Sequence, residues 1–158
     1  MKVKIKDLVD LHKAGPNSVV VDVGAFKGEY AELMIAKFDC FVIMFEPQPD
    51  CYQFLKEKFK GNPKVEIYNK AIGKYGRQKF FVNGLSSSLF VQSDNSIELQ
   101  VESLFSFING FPDILKLNCE GSEYDILEDL IDRKMLSEIP EILVQFHKIK
   151  TIITINVQ

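Results

Sequence analysis

Several features that would indicate other classes of protein are scarce or missing in this sequence of 158 residues. It has no tryptophan, two histidines and three cysteines, and no two of the cysteines form a C-x-x-C pair. An odd number of unpaired cysteines is typical of a reducing compartment rather than of a disulfide framework. Two histidines far apart in sequence give little support to a zinc site. We therefore expect a cytoplasmic protein without a structural metal.

Long apolar runs and an excess of basic charge are absent as well. Apolar stretches such as residues 41–45 are too short to span a membrane or to form the core of a signal peptide. The formal net charge is −3, so a nucleic-acid backbone would find no strongly basic surface on which to release its counterions. We expect neither a membrane span nor a nucleic-acid partner.

The composition that is present indicates one folded domain. Hydrophobic residues make up 46% and charged residues 26% of the chain, which is typical of a globular protein. The length fits a single domain. We expect one domain over residues 1–158, with a helical flank at 1–17, a core at 18–147 and an edge strand within 148–158.

Strand-like and helix-like segments alternate along the core. Short runs of buried type predict parallel strands at residues 18–23, 41–45, 65–68, 114–117 and 142–146. Apolar residues at helical spacing predict helices at residues 5–11, 28–38, 49–59, 104–108 and 124–136. Segments 78–82 and 97–101 predict an inserted antiparallel hairpin, and 152–157 an edge strand. This alternation predicts an α/β fold with a mostly parallel sheet and crossover helices.

Ligands of such sheets bind beyond the carboxyl ends of the strands, and two features stand out there. The turn after the first strand reads Asp22-Val-Gly-Ala-Phe-Lys-Gly28, and its glycines allow a tight bend close to a ligand. Glu46 follows the second strand, 22 residues after Gly24, where a carboxylate can accept hydrogen bonds from both hydroxyls of a ribose. A nicotinamide-dependent oxidoreductase would use the same carboxylate, although its G-x-G-x-x-G pattern differs from the G-x-x-x-G found here.

Four segments together resemble a known family. They are Val21-Asp-Val-Gly-Ala-Phe-Lys-Gly28, Phe45-Glu-Pro-Gln-Pro49, Asn69-Lys-Ala-Ile-Gly73 and Leu115-Lys-Leu-Asn-Cys-Glu-Gly-Ser-Glu123. In order and spacing they resemble the FkbM-type methyltransferases over residues 19–147. The resemblance implies a Rossmann-like class I methyltransferase fold that uses S-adenosylmethionine. It also implies methylation of a hydroxyl group on a sugar, a glycolipid or another natural product.

The resemblance also implies which residues would bind the cofactor. Gly24, Ala25 and Gly28 would face its methionine portion, Glu46 its ribose, and Asn69 and Ala71 its adenine, although the last two also fit an ordinary turn. The full set that we expect at the cofactor is Asp22, Gly24, Ala25, Phe26, Gly28, Glu46, Pro47, Asn69, Ala71 and Asn118. The sequence leaves Asp22 with two interpretations: a buried or helix-capping carboxylate, or an acid near the amino group of the methionine portion.

The catalytic prediction depends on the ends of the last two core strands. His147 closes the fifth strand, and an imidazole can act as a general base near neutral pH. Glu120 and Glu123 open the helix after the fourth strand, where carboxylates also stabilise a helix N-terminus. We expect His147 and Glu120 to be catalytic and leave Glu123 undecided between a site role and capping.

Two departures from the family pattern bear on activity. Asn118 stands where the family usually has aspartate, and Gln145 where an acidic residue is frequent. An amide keeps hydrogen bonding but cannot act as a base, so a cofactor-binding module of the same fold without turnover remains an alternative to the enzyme. The chain also ends soon after the fifth strand, whereas this fold normally carries two further strands at that edge. We therefore expect the wall around the acceptor either to be incomplete or to be supplied by the hairpin around residues 84–97.

Overall fold

The structure is a computed structural model that describes residues 4–73, 76–81, 96–119, 121–146 and 151–156, with side chains for these residues except 76–81, 96–99 and 151–156. The helices are α1 (Ile5–Val9), α2 (Glu29–Phe38), α3 (Pro49–Lys58) and α4 (Glu123–Asp132). The strands are β1 (Val19–Val23), β2 (Phe41–Phe45), β3 (Val65–Tyr68), β4 (Ala71–Ile72), β5 (Gly76–Phe81), β6 (Ser96–Glu102), β7 (Ile114–Leu117), β8 (Glu141–Phe146) and β9 (Thr151–Asn156).

Six of these strands form the main sheet, in the order β3-β2-β1-β7-β8-β9. The first five are parallel, and β9 pairs antiparallel with β8 along the edge. The strand order reverses between β1 and β7, which are neighbours in space but far apart in sequence. The crevice beyond their carboxyl ends is the usual ligand position in such a sheet. The predicted α/β class with a mostly parallel sheet is confirmed.

A second, smaller sheet has the order β4-β6-β5. Strands β5 and β6 pair antiparallel, with Gly76 opposite Val101 and Phe81 opposite Ser96. This pair confirms the predicted inserted hairpin, although β5 begins two residues and ends one residue earlier than predicted, and β6 is longer by one residue at each end. The two residues of β4 pair parallel with the end of β6.

Side chains alternate between two apolar layers because neighbouring residues of a strand point to opposite faces. Val21 and Val23 of β1 pack on the layer covered by α4, whereas Val20 packs on the layer formed with α2 and α3. Each of these three valines is at most 2% exposed. Burial on both faces explains why β1 is a nearly unbroken run of valine.

Three predicted helices differ from the structure. The first helix ends at Val9, well before Gly15, and Leu11 is 63% exposed. Residues 104–108 form a single 3₁₀ turn over Leu104–Ser106. The helix predicted over 124–136 ends at Asp132, and a 3₁₀ turn over Leu136–Glu138 follows it. No helix in the described part of the chain is long and apolar enough to cross a membrane.

A buried polar contact attaches the segment after α1 to the sheet. The His12 side chain is fully buried, with Nε2 2.7 Å from Tyr30 Oη on α2 and Nδ1 2.5 Å from Glu141 Oε1 on β8. Burial, together with the negative charges of Asp22 and Glu141, raises the pKa of Tyr30. The hydroxyl therefore stays protonated and can donate to a neighbour.

Candidate functional site

The bend after β1 brings the backbone of β1 against the backbone of β7. Gly24 has φ +79°, and a Cβ atom at this position would lie 2.7 Å from the carbonyl carbon of Asn118. The backbone N–H of Asn118 also donates to Val23 O at 3.0 Å. Only glycine combines this left-handed backbone with so close an approach. The bend therefore lies at the strand-order reversal because residue 24 has no side chain.

Gly28 lies where the start of α2 packs closely against α3. Its φ is +69°, and a Cβ atom there would lie 2.7 Å from Leu55 Cδ2 and from Phe59 Cε2. These contacts are with α3 and the residue after it, so this glycine lets the start of α2 approach that helix. Its predicted place beside the methionine portion of a cofactor stays a prediction.

The Glu46 carboxylate connects the bend to the end of β2. Its Oε2 accepts a hydrogen bond from Phe26 N at 2.7 Å, and its Oε1 accepts one from Gln48 N at 2.8 Å. Gly24 N and Ala25 N in turn donate to Phe45 O at 2.9 and 3.2 Å. Four hydrogen bonds donated by backbone amides therefore hold the carboxylate and the bend together.

Residue Glu46 is 5% exposed, and burial raises the pKa of its carboxyl because the charged form loses hydration. Each carboxylate oxygen can accept about two hydrogen bonds, so about two acceptor positions remain beyond the two backbone donors. A folded-state pKa above the usual value means that ionising Glu46 costs stability as pH rises through that pKa. Donors from a ligand would offset this cost by stabilising the charged form.

Asn69 holds the loop that carries Glu46. Its Nδ2 donates to Glu46 O at 2.9 Å and to Pro47 O at 3.0 Å. Ala71, by contrast, is buried in β4 opposite Val101. This is the setting of an ordinary structural alanine, and its predicted contact with adenine stays a prediction.

Asp22 and Asn118 each contribute a buried oxygen without a hydrogen-bond partner in the described structure: Asp22 Oδ2 and Asn118 Oδ1. The other carboxylate oxygen of Asp22 accepts a hydrogen bond from Lys116 Nζ at 2.6 Å. Buried acceptors in native structures are normally satisfied, so a water, an ion or a ligand is the expected partner of these two oxygens. Both residues flank Gly24, at the ends of β1 and β7.

Glu123 holds the loop between β7 and α4. It is completely buried, and its oxygens accept hydrogen bonds from Cys119 N at 2.9 Å and Gly121 N at 2.8 Å. These contacts favour the capping interpretation that the sequence left open. The carboxylate fixes the backbone beside Asn118 by satisfying two amides that no helix bond reaches.

We predict that Glu123→Gln lowers the free energy of unfolding by about 1–3 kcal/mol, because an amide can accept from only one of the two buried N–H groups. Chemical denaturation measures this loss. Glu128→Gln changes an exposed carboxylate on the same helix and should change the free energy by less than about 0.5 kcal/mol. Equal losses in the two variants would contradict the anchoring role.

His147 and Glu120, the two predicted catalytic residues, lie outside the described residues, so their roles stay predictions. The structure adds a residue that the sequence did not single out. Lys116 is the one charged residue in β7, and it lies directly opposite Asp22 of β1. The available signal was a lysine between apolar residues of a buried strand, which is costly unless the charge is paired.

Comparison with solved structures finds the same fold in several methyltransferases. A dimethyladenosine transferase from Plasmodium falciparum is similar with a TM-score of 0.54 and 12% identity, over 89% of this chain and 40% of that protein. The cyclopropane synthase MmaA2 from Mycobacterium tuberculosis is similar with a TM-score of 0.51 and 12% identity, also over 89% and 40%. This chain therefore spans about two fifths of the length of these two proteins.

The sequence itself matches a family. No curated protein matches this chain, but the family model described as the methyltransferase FkbM domain matches residues 22–154. That range contains the Gly24 bend, Glu46, Lys116 and Asn118, and it confirms the resemblance drawn from the four sequence segments. This chain belongs to the FkbM methyltransferase domain family, whose methyl donor is S-adenosylmethionine.

Proposed function

We propose that this chain transfers the methyl group of S-adenosylmethionine to a hydroxyl group of a small molecule or glycan. The observation that carries the proposal is the connection of Gly24, Glu46 and Asn118 at the strand-order reversal. There a bare backbone bend, a carboxylate with spare acceptor positions and an orphaned amide oxygen lie on neighbouring strands. Such a combination suits S-adenosylmethionine, whose ribose offers hydroxyl donors and whose methionine portion offers an ammonium donor.

The residues present fit this cofactor. Glu46 would hold the ribose hydroxyls, because its carboxylate is already oriented by Phe26 N and Gln48 N. Gly24 and Ala25 would leave room for the methionine portion, since residue 24 has no side chain. Asn118 Oδ1 would accept a hydrogen bond from that portion and so satisfy a buried oxygen. When bound, the cofactor supplies an electrophilic methyl group on a positively charged sulfur.

The protein must then position the acceptor and remove its proton. Methyl transfer needs the acceptor oxygen in line with the carbon–sulfur bond, so orientation and exclusion of water supply most of the effect. A base beside the oxygen adds typically about 10²–10⁴-fold. Glu123 does not suit this role, because backbone amides already occupy its buried carboxylate. We keep His147 as the base and Glu120 as a second catalytic residue.

The charge of the chain favours an uncharged acceptor. The net charge of −3 disfavours a nucleic-acid acceptor, which binds mainly through its phosphates. A hydroxyl on an uncharged sugar or other small molecule needs no basic surface. RNA nevertheless belongs in any screen, because one structural neighbour is a dimethyladenosine transferase.

Transfer of a radiolabelled methyl group tests the proposal. The protein is incubated with labelled S-adenosylmethionine and separate fractions of sugars, lipids, small metabolites and RNA. We expect label in a sugar, lipid or metabolite fraction, in a form that mild alkali does not release, because methyl ethers resist alkali and methyl esters do not. A Gly24→Ala variant should transfer none. Label only in RNA, or only in an alkali-labile form, would contradict O-methylation of such an acceptor.

A cofactor-binding module without turnover is the second candidate, and Asn118 favours it. An amide at this position cannot take a proton, and Gln145 likewise has no carboxylate. This alternative predicts saturable cofactor binding with no transfer to any fraction. Restoring the carboxylate with Asn118→Asp would then be expected to produce transfer, whereas an active wild type excludes the module.

A further inference from the structure

Lys116 occupies a position that is unusual for a lysine. It lies in β7 between Leu115 and Leu117, both fully buried, and its own side chain is 12% exposed. Its register partner on β1 is Asp22, whose side chain is completely buried. Either charge alone would be costly at this depth, so each residue requires the other.

The ammonium group of Lys116 contacts more than its counterion. Nζ donates to Asp22 Oδ1 at 2.6 Å and to Gly24 O at 3.3 Å, and it lies 5.4 Å from the centre of the Tyr30 ring. It therefore joins β7 to β1, to the bend at residue 24 and to the first turn of α2. These are the elements that surround the proposed cofactor position.

We propose that Lys116 is a positioning residue of the cofactor site: it fixes the Gly24 bend and supplies the positive charge that offsets Asp22 and Glu46. The inference rests on the proposed function for the identity of the ligand. The inference goes beyond the proposed function because it assigns a role to a residue that need not touch the ligand. Lys116 acts through the backbone carbonyl of Gly24 and through the electrostatics of the two carboxylates.

The charges around Glu46 give this role a measurable consequence. Burial raises the pKa of Glu46, the amides of Gln48 and Phe26 lower it, Asp22 raises it, and Lys116 lowers it. Removing Lys116 takes away a positive charge that lowers the pKa of Glu46, so the carboxyl should bind a proton at higher pH. Because the ribose needs an acceptor carboxylate, cofactor affinity should then fall at a higher pH than in wild type.

Calorimetric titration with S-adenosylhomocysteine between pH 5.5 and 8.5 tests this consequence. Lys116→Met should weaken binding by at least about tenfold at pH 8, and its further loss of affinity on acidification should begin at a higher pH than in wild type. Lys116→Arg, which keeps the charge, should restore most of the affinity and the wild-type pH profile. Lys37→Met removes a lysine paired with Asp10 at the surface and should match wild type. Parallel pH profiles for Lys116→Met and wild type would overturn the inference.

A measurement without cofactor separates this inference from the proposed function. The Glu46 carboxyl carbon can be followed by ¹³C NMR, with Glu46→Gln providing the assignment. Its titration midpoint should rise in Lys116→Met and stay unchanged in Lys37→Met. If wild type binds no S-adenosylhomocysteine, the proposed function fails, whereas an unchanged midpoint overturns the role of Lys116. Should Lys116→Met not fold, Asp22→Asn with and without Lys116→Met gives the same comparison, with the same expected rise.

Discussion

Gly24→Ala should abolish measurable binding of S-adenosylhomocysteine and lower the free energy of unfolding by about 2–5 kcal/mol. Two costs add: a non-glycine residue in the left-handed region loses about 1–2 kcal/mol, and an added methyl in a filled space costs about 1–3 kcal/mol. The methyl group would meet the carbonyl carbon of Asn118 at 2.7 Å. Because that contact is with backbone, β1 and β7 must separate, and the bend must move with them. Denaturation and calorimetry measure the two effects.

Gly61→Ala is the matched control for this substitution. Gly61 has φ +77°, nearly the value at Gly24, but a Cβ atom there would meet nothing within 4 Å. It should cost only the backbone strain, about 1–2 kcal/mol, and leave cofactor binding intact. The difference between the two variants then measures the collision at the strand-order reversal. Equal losses of stability, with cofactor binding retained in both variants, would show that the close approach at Gly24 is not needed for cofactor binding.

Glu46→Gln should weaken the binding of S-adenosylhomocysteine by on the order of 10²–10⁴-fold. Hydrogen bonds to a charged group contribute about 1.5–3 kcal/mol each, and the proposed site makes two with the ribose. A glutamine offers one acceptor oxygen for the amides of Phe26 and Gln48, and its own NH₂ group would face the second amide. Affinity is therefore lost both through the ligand and through the loop.

Glu66→Gln is the control for the carboxylate substitution. Glu66 is exposed on β3, where its Oε2 accepts a hydrogen bond from Tyr68 Oη at 2.9 Å. It should bind the ligand as wild type does. Titration calorimetry at pH 8 compares the variants under conditions that favour ionised carboxylates. If Glu46→Gln binds the ligand with an affinity within about threefold of wild type, Glu46 does not contribute to the site.

The strands of the main sheet could be predicted from the sequence because their burial leaves little freedom of interpretation. The prediction for β7 has the same bounds as the structure, and that for β8 differs by one residue. A parallel strand covered on both faces needs a continuous apolar run, and such runs are easily recognised. The edge strand β9 was also predicted, with a shift of one residue at each end.

Helix ends were less predictable where an unusual residue ends the helix. After α4, Lys134 adopts φ +57°, and Met135 N and Lys134 N donate to Leu130 O and Ile131 O. This is the hydrogen-bond pattern of a Schellman motif, in which glycine is usual at the left-handed position. Because a lysine stands there, no residue type marks the end of the helix, and the predicted helix continued to residue 136.

The candidate site was partly predictable. Gly24 and Glu46 were identified because their roles depend on local turns and on the ends of neighbouring strands. The pairing of Lys116 with Asp22 depends on β1 lying beside β7, although the two residues are 94 positions apart in the sequence. No local pattern specifies that register. The lysine therefore became visible as part of the site only when the strand order was known.

Titration of the wild-type protein with S-adenosylhomocysteine in a calorimeter tests the central claim most directly. The account predicts saturable binding at about one site per chain, with a matching rise in melting temperature, since a ligand selective for the native state must stabilise it. Absence of both heat and thermal stabilisation in a folded sample, at ligand concentrations up to about 1 mM, would contradict the claim that Gly24, Glu46 and Asn118 form a site for S-adenosylmethionine.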